Sequence, residues 1–222
     1  MPQTVALIGG TGRLGPGLAL RLARAGVPVV IGSRDRQRAR EKAVALSDRL
    51  ATAGGGAAIR GASNPEAAAT ADLAFLTVPW EAQAALLPKL AGPLSGKIVV
   101  STGVPVRFDL ALGPIAMPVA EGSAAEQAAA LLAESRMVAG FHTVSSAHLS
   151  RLERELDEDV LLCGDDEPAK AEVTEMTGRL PGIRVVDAGR LGNAHHLEQL
   201  TVLLLSINRL SGRTVGVHLT GL

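Results

Sequence analysis

Three glycines near the N-terminus have the spacing of a dinucleotide-binding turn. They form the pattern Gly-x-Gly-x-x-Gly directly after an apolar run that begins at Val5, and a helical pattern follows. In such a turn the first glycine allows a tight turn, the second lets the backbone approach a pyrophosphate, and the third lets the helix lie close to the strand. The pyrophosphate binds at the helix N-terminus, where free N–H groups favour negative charge. The predicted cofactor-binding residues of this turn are Gly10, Thr11, Gly12, Arg13, Leu14 and Gly15.

The end of the second predicted strand indicates which dinucleotide binds. An NAD site carries Asp or Glu about 20 residues after the glycines, where it binds the ribose hydroxyls. This chain has Ser33 and Arg34 there, and a guanidinium can grip a 2′-phosphate with two charge-assisted hydrogen bonds. Arg38, one helical turn later, would supply a second cation, whereas the side chain of Asp35 is expected to point elsewhere. NADP(H) is therefore the predicted cofactor.

Two polar residues follow another apolar run. His142 and Thr143 come directly after the strand predicted over 137–141. Ligands of open α/β sheets bind at the carboxyl ends of the strands, so both residues are candidate catalytic residues. The alternative is that His142 is only a strand-end histidine bonded to backbone.

The elements that would position these residues alternate along the chain. Apolar runs at 29–32, 58–60, 73–78, 97–101 and 137–141 predict strands after the first one, and the longest helix is predicted over 36–53. This alternation favours an α/β fold with a Rossmann-type, doubly wound parallel sheet. Residues 102–122, rich in Pro and Gly, are predicted to form one long loop of the kind that usually has a function.

Several helix boundaries follow from capping patterns. Asn64-Pro65-Glu66 has the composition of a capped helix start. Gly92-Pro93 is expected to end a helix over 81–90, and the capping box from Ser123 to Glu126 is expected to begin one that ends near Arg136.

The remaining residues predict a small C-terminal α/β appendage. Strands are expected over 160–163 and 183–187, and helices over 168–180 and 194–209. We expect residues 1–141 to form an NADP-binding domain and residues 142–222 to form a small domain that contributes to the cleft of a second substrate.

Composition argues against several classes of function. The net charge is zero, and the chain has no Tyr, three Phe and one Trp, so it lacks the basic surplus and aromatic platforms of nucleic-acid-binding proteins. The longest apolar stretch, near 202–205, is far shorter than the roughly 20 residues that span a bilayer, and no charged-then-apolar leader precedes the first strand. We expect a cytoplasmic protein with no membrane or nucleic-acid partner. Cys163 is the single cysteine and is expected to be a small buried side chain.

Six short segments stand in the order found in one known family. They are 9–15 (GGTGRLG), 32–34 (GSR), 76–80 (LTVPW), 142–143 (HT), 163–166 (CGDD) and 187–189 (DAG). The chain resembles the NADPH-dependent reductases of the deazaflavin coenzyme F420. The resemblance implies reversible hydride transfer between C4 of NADP(H) and C5 of the deazaflavin.

The resemblance also implies roles for individual residues. Thr11, Ser33, Arg34 and the cation Arg38 would hold the 2′-phosphate, and His142 would lie beside the deazaflavin. The residues implied at the nicotinamide end and next to it are Thr77, Val78, Pro79, Trp80 and Val144. Both substrates carry their own reactive carbon, so the protein mainly has to stack the two rings with these carbons about 3 to 3.5 Å apart.

Departures from the family pattern concern the last helix and an acidic pair. Where the family has an Arg and a Ser between Gly189 and Thr201, this chain has His195-His196 and Gln199. Adjacent residues on a helix face different directions, which argues against a joint metal site for the two histidines. Asp165-Asp166 could form a metal or acid pair, but capping of the following helix is favoured.

Two other functions remain open at this stage. One is an NADPH-dependent reductase of a flavin or a ferric chelate, and the other is a non-enzymatic NADPH sensor that signals through dimer rearrangement. For the leading function we expect direct hydride transfer without a bound flavin, because the chain has no second nucleotide fingerprint. The apolar last helix favours a homodimer.

Overall fold

A computed structural model describes residues 3–222, which form ten strands and nine α-helices. The strands are β1 (Val5–Ile8), β2 (Val29–Ser33), β3 (Ile59–Ser63), β4 (Leu73–Leu76), β5 (Ile98–Ser101), β6 (Val106–Asp109), β7 (Gly113–Ala116), β8 (Arg136–Gly140), β9 (Glu158–Gly164) and β10 (Ile183–Asp187). The helices are α1 (Leu14–Arg24), α2 (Arg36–Thr52), α3 (Asn64–Thr70), α4 (Trp80–Leu86), α5 (Ala91–Leu94), α6 (Ala124–Leu131), α7 (Ser146–Leu149), α8 (Glu167–Gly178) and α9 (Ala194–Ser211). Among residues 3–222, no helix is both long and apolar enough to span a lipid bilayer.

The main sheet has eight strands in the order β10-β9-β8-β5-β4-β1-β2-β3. From β1 the chain first builds outward through β2 and β3, then returns to add β4 and β5 on the other side. The strand order therefore reverses between β1 and β4, which is where doubly wound sheets bind their ligands. The predicted Rossmann-type α/β class is confirmed.

Strand β9 runs antiparallel to β8, and within the described residues this is the one antiparallel pair of the main sheet. The connection between them, residues 141–157, contains only the four-residue helix α7, whereas a parallel crossover usually contains a full helix. The first residues of β9 therefore lie at the same edge of the sheet as the end of β8. Strands from both sides of residue 142 share this sheet, and the expected domain division there remains a prediction.

The sheet is buried on both faces by helices. Alternate residues of β1 point to opposite faces, so Val5 and Leu7 belong to the core under α1, α2 and α8, while Ala6 and Ile8 belong to the core under α3, α6 and α9. All four are fully buried. Such two-sided burial explains why the strands are near-continuous apolar runs.

Residues 102–122 form more than a plain loop, because β6 and β7 pair within them as an antiparallel hairpin. Asp109 Oδ1 accepts hydrogen bonds from the N–H groups of Ala111 and Leu112, at 2.9 Å each. Gly113 has a φ of 88°, in the left-handed region that glycine tolerates. These features close the turn, so the prediction of one long loop over 102–122 was wrong.

Helix boundaries differ from the predictions at three places. Ser63 caps α3, since its Oγ accepts from Glu66 N, and Asn64 lies inside the helix. Gly92 and Pro93 lie within the short helix α5, where proline in the first turn removes no helical hydrogen bond. Helix α6 ends at Leu131, several residues before Arg136, which begins β8.

Candidate active site

The glycine turn after β1 is built from close backbone contacts. Gly9 has a φ of 75°, so Gly9 is the left-handed residue of the turn, although the sequence pattern assigned the tight turn to Gly10. Gly10 N donates to Gly32 O at 2.9 Å, and a Cβ on Gly10 would lie 2.7 Å from Leu7 Cβ. A Cβ on Gly15 would lie 2.3 Å from Gly10 O. Both positions therefore need glycine for packing.

Gly12 differs from these two glycines. It is exposed, and a Cβ there would meet nothing nearer than Gly9 O at 3.5 Å, an ordinary contact distance. Packing within the protein does not explain a glycine here, whereas close approach of a ligand does. Helix α1 starts two residues later, and the preceding residue, Arg13, makes no capping hydrogen bond through its side chain. The N–H groups of the first turn are thus suited to a phosphate.

The residues after β2 have divided roles. Ser33 is buried, and its Oγ accepts a hydrogen bond from Asp35 N at 3.2 Å. Asp35 caps α2, because its Oδ1 accepts from Gln37 N at 2.8 Å and from Arg38 N at 3.1 Å. The expectation that the Asp35 side chain points elsewhere is confirmed.

Arg34 and Arg38 are both exposed at this edge. Arg36 pairs with Glu66 at 3.2 Å, but neither Arg34 nor Arg38 forms an ion pair with a carboxylate of residues 3–222. Two guanidinium groups beside Ser33 are therefore available to an anionic ligand.

The residues after β4 lie against the glycine turn. Thr77 bonds to Ile8 O through both its N–H and its Oγ1, at 2.9 Å each, so the Thr77 side chain ties β4 to β1. A Cβ on Gly9 would lie 2.3 Å from Val78 Cγ1, which places Val78 beside the turn. Trp80 Nε1 donates to Gln127 Oε1 on α6 at 3.0 Å. The exposed Pro79 stands between Val78 and Trp80.

His142 lies buried at the end of β8, followed by the buried residues Thr143 and Val144. Neither ring nitrogen of His142 has a hydrogen-bond partner among the described residues, so the alternative of a histidine bonded to backbone is not observed. Burial lowers the pKa of His142 to about 4, and the imidazole is therefore neutral near pH 7. The preceding residue, Phe141, has a φ of 64° and packs edge-on against Phe75.

Two further polar side chains near this edge escaped the sequence analysis. Gln83 on α4 is fully buried with both amide atoms unpaired among the described residues, and so is the Oγ of Ser101 at the end of β5. Gln83 Nε2 lies 2.5 Å from the place a Cβ on Gly103 would take. A glutamine on a helix gives no sign in sequence that it faces inward.

A cavity of about 250 Å³ lies between the 102–122 segment and α9. Its lining includes Pro105, Met117, His195, Glu198, Gln199 and Val202. Glu198 accepts hydrogen bonds from Ala124 N at 3.1 Å and Ala125 N at 3.2 Å, at the start of α6. Burial raises the pKa of Glu198 to about 7.

The two adjacent histidines of α9 do not diverge as the sequence analysis expected. Their ring centroids are 3.6 Å apart, and His195 Nδ1 lies 2.6 Å from Gly192 O. The prediction that the side chains of His195 and His196 face different directions was therefore wrong. The two rings lie at 45° to each other, and they come close because both side chains turn about their own bonds.

The acidic pair after β9 has structural partners. Asp166 caps α8 by accepting from Ala169 N at 2.8 Å, and it pairs with Arg136 at 2.7 Å. The hydrogen bond from Arg136 lowers the pKa of Asp166 to about 2. Asp165 accepts from Leu191 N at 3.1 Å. The capping interpretation is confirmed for Asp166, and the burial of Cys163 is confirmed as well.

These segments meet at one edge of the sheet. The ends of β1, β2 and β4 bring together the glycine turn, the Ser33-Arg34 pair and residues 77–80. The end of β8 adds His142 to the same edge, separated from β4 by β5. This fold and edge define the class of dinucleotide-binding α/β proteins.

Comparison with known proteins gives the family. The model of the family described as NADP oxidoreductase coenzyme F420-dependent matches residues 4–105. The F420-dependent NADP reductase of Methanocaldococcus jannaschii is 36% identical over 98% of both chains. That of Methanothermobacter thermautotrophicus is 38% identical over 100% of this chain and 97% of its own. A crystal structure from Arthrobacter sp. FB24 matches with a TM-score of 0.80 and 27% identity, covering 96% of each chain. The chain belongs to the F420-dependent NADP reductase family.

Proposed function

We propose that this protein catalyses reversible hydride transfer between NADP(H) and coenzyme F420. The observation that carries the proposal is full-length similarity to relatives named F420-dependent NADP reductase. In the forward direction, NADPH, oxidised F420 and one proton give NADP⁺ and reduced F420. The hydride moves from C4 of the nicotinamide to C5 of the deazaflavin, and the proton comes from solvent.

The residues at the carboxyl edge fit NADP(H). The open position of Gly12 and the first turn of α1 suit the pyrophosphate. Arg34 and Arg38, together with Ser33 and Thr11, would bind the 2′-phosphate, and no carboxylate at the end of β2 takes the place used by an NAD site, since Asp35 caps α2. Val78, Pro79 and Trp80 would line the nicotinamide end.

The second substrate would bind on the side of β8 and α9. His142 and Thr143 follow β8. The cavity beside α9 is lined by Glu198, which binds the first backbone N–H groups of α6, and Trp80 contacts the same helix through Gln127. Reduction builds negative charge on the pyrimidine edge of a deazaflavin, so a donor aimed there lowers the barrier. Because His142 is neutral, it would donate one N–H hydrogen bond instead of a full charge.

A cytoplasmic location for the reaction and a division of the chain at residue 142 are part of the proposal. Within residues 1–141 lie all the proposed NADP(H) contacts except Val144, and residues 142–222 would supply His142, Thr143 and α9 to the second substrate.

A homodimer is part of the proposal. Exposed apolar side chains lie on the β6-β7 hairpin and on the last turns of α9: Phe108, Leu110, Leu112, Leu203, Ile207 and Leu210. Arg209 joins the two elements by donating to Leu110 O and Ala111 O. A second copy would cover this surface, and light scattering of a Leu110→Asp, Leu210→Asp double variant would show a monomer.

An absorbance assay tests the proposed activity. NADPH mixed with oxidised F420 and the protein should bleach the deazaflavin band, while FAD, FMN or ferric chelates should be reduced poorly. Rapid reduction of a flavin or ferric chelate without F420 bleaching would favour the other reductase function. Binding of NADPH with no bleaching would indicate a sensor.

A further inference from the structure

We propose that Glu158 is a positioning residue that holds residues 141–149, here called the His142 loop, in the geometry that binds the deazaflavin. The proposal rests on the proposed function, because the role of His142 and Thr143 toward F420 belongs to it. Glu158 is the first residue of β9 and is only 4% exposed, so its carboxylate is buried.

Adjacent carboxylates at the start of β9 have separate partners. Glu158 Oε2 accepts a hydrogen bond from Ser145 N at 3.2 Å, and Glu158 Oε1 contacts His148 Nδ1. Asp159 bonds instead to Arg184 and to Leu219 N in the C-terminal segment. Glu158 alone of the two therefore reaches the His142 loop.

The His142 loop needs such an anchor. Phe141 has a φ of 64°, a left-handed conformation that a non-glycine residue keeps only where its surroundings hold it. Within the loop, Val144 N reaches Phe141 O at 3.3 Å, a long hydrogen bond. The loop ends in α7, which has only four residues and is capped by Ser145. Glu158 contacts both ends of this cap, at Ser145 N and at the His148 ring.

Residues 216 and 217, in the C-terminal segment that follows α9, cover Glu158. A Cβ on Gly216 would lie 2.6 Å from Glu158 Cγ, and Asp159 N donates to Val217 O at 2.8 Å. Residues 216 and 217 thus exclude water from the carboxylate, which strengthens its hydrogen bonds to the loop. A buried carboxylate bonded to one loop restricts that loop more than an exposed one would.

The test compares three variants of the full-length protein. Glu158→Ala removes both contacts, Glu158→Gln keeps an oxygen acceptor for Ser145 N, and Glu153→Gln changes the charge of an exposed residue in the same connection. We expect Glu158→Ala to lower kcat/KM for F420 by about tenfold or more, since small misplacements of reacting groups are costly. The Kd for NADPH should change by less than about twofold, and Glu158→Gln should recover most of the activity.

Hydrogen exchange supplies a readout that does not depend on turnover. Amides of residues 142–149 should exchange faster in Glu158→Ala than in the wild type, and Glu153→Gln should match the wild type. If Glu158→Ala does not fold, His148→Ala removes the other partner of the contact. It should lower kcat/KM for F420 and speed amide exchange in the His142 loop.

Several results would overturn the proposal. Unchanged exchange of the loop would show that Glu158 does not anchor it, and equal losses of NADPH affinity and F420 turnover would show general destabilisation. A wild type that does not reduce F420 would overturn the proposed function, and the exchange data would then still decide whether Glu158 anchors the loop.

Discussion

Gly15 lies so close to Gly10 that a Cβ on Gly15 would be 2.3 Å from the Gly10 carbonyl oxygen. A Cβ on Gly12 would meet no atom nearer than Gly9 O, at 3.5 Å. Glycine is therefore needed at these two positions for different reasons. The fold requires it at Gly15, and close approach of a ligand explains it at Gly12. Replacing each glycine by alanine distinguishes the two reasons.

Gly15→Ala should destabilise the protein, and Gly12→Ala should weaken cofactor binding. Overpacking typically costs about 1 to 3 kcal/mol, so urea unfolding should show a loss of this size for Gly15→Ala. Gly12→Ala should stay within about 0.5 kcal/mol of the wild type while its Kd for NADPH rises about tenfold or more. Equal stability losses in both variants would contradict the assignment.

Arg34→Ala should weaken NADPH binding strongly and NADH binding hardly at all. Loss of a charge-assisted, bidentate contact costs on the order of 1.5 to 3 kcal/mol, or roughly ten- to 150-fold in affinity. Arg38→Ala should have the same effect more mildly, because its side chain reaches from the next helical turn. Titration of both cofactors measures the difference.

Arg36→Ala is the matched control for this experiment. Arg36 pairs with Glu66 at 3.2 Å in an exposed position, so its loss should leave both cofactor affinities nearly unchanged. If Arg34→Ala weakened NADPH and NADH equally, Arg34 would not be the residue that selects NADP(H).

His142→Ala should leave NADPH binding nearly intact while raising the KM for F420 or lowering turnover. Burial lowers the pKa of His142 to about 4, so the imidazole is neutral through the neutral range. The ratio of wild-type to variant turnover should therefore stay constant from about pH 6 to pH 8. A ratio that follows a titration near pH 6.5 would show a charged imidazole, and unchanged kinetics would make His142 a structural residue.

Glu198→Gln should change how stability depends on pH. Burial raises the pKa of Glu198 from 4.5 to about 7, so the folded state favours the protonated form. The stabilisation from this proton is complete below about pH 4.5 and is lost as the pH rises through 7. The free energy of unfolding of the wild type, relative to Glu198→Gln, should fall on the order of 3 kcal/mol between about pH 4.5 and pH 8. A constant difference would contradict the raised pKa.

The fold class and the NADP(H) edge could be predicted because their signals are local. The glycine spacing, the apolar runs of β1 to β5 and the Ser33-Arg34 pair each lie within a few residues of sequence. The direction of β9 gave no such signal, because an apolar run predicts a strand but not its orientation. The β6-β7 hairpin was missed since its turn depends on Asp109 bonding its own backbone neighbours.

The buried carboxylates could not be predicted for a different reason. Glu198 is separated by 74 residues from Ala124, one of the backbone donors that it binds, and Glu158 by 13 residues from Ser145. Acidic residues are mostly exposed, so without knowledge of distant partners both would be assigned to the surface. The site residues named from sequence were those beside strand ends, where topology alone decides position.

Transfer of a hydrogen isotope tests the central claim most directly. NADPH labelled with deuterium at the transferred C4 position should be mixed with oxidised F420 and the protein, which should be colourless when purified. We expect the deuterium at C5 of the reduced deazaflavin, because the hydride passes directly between the two rings. Washout of the label into water, a bound yellow chromophore that takes up the hydride, or no reduction of F420 would contradict the account.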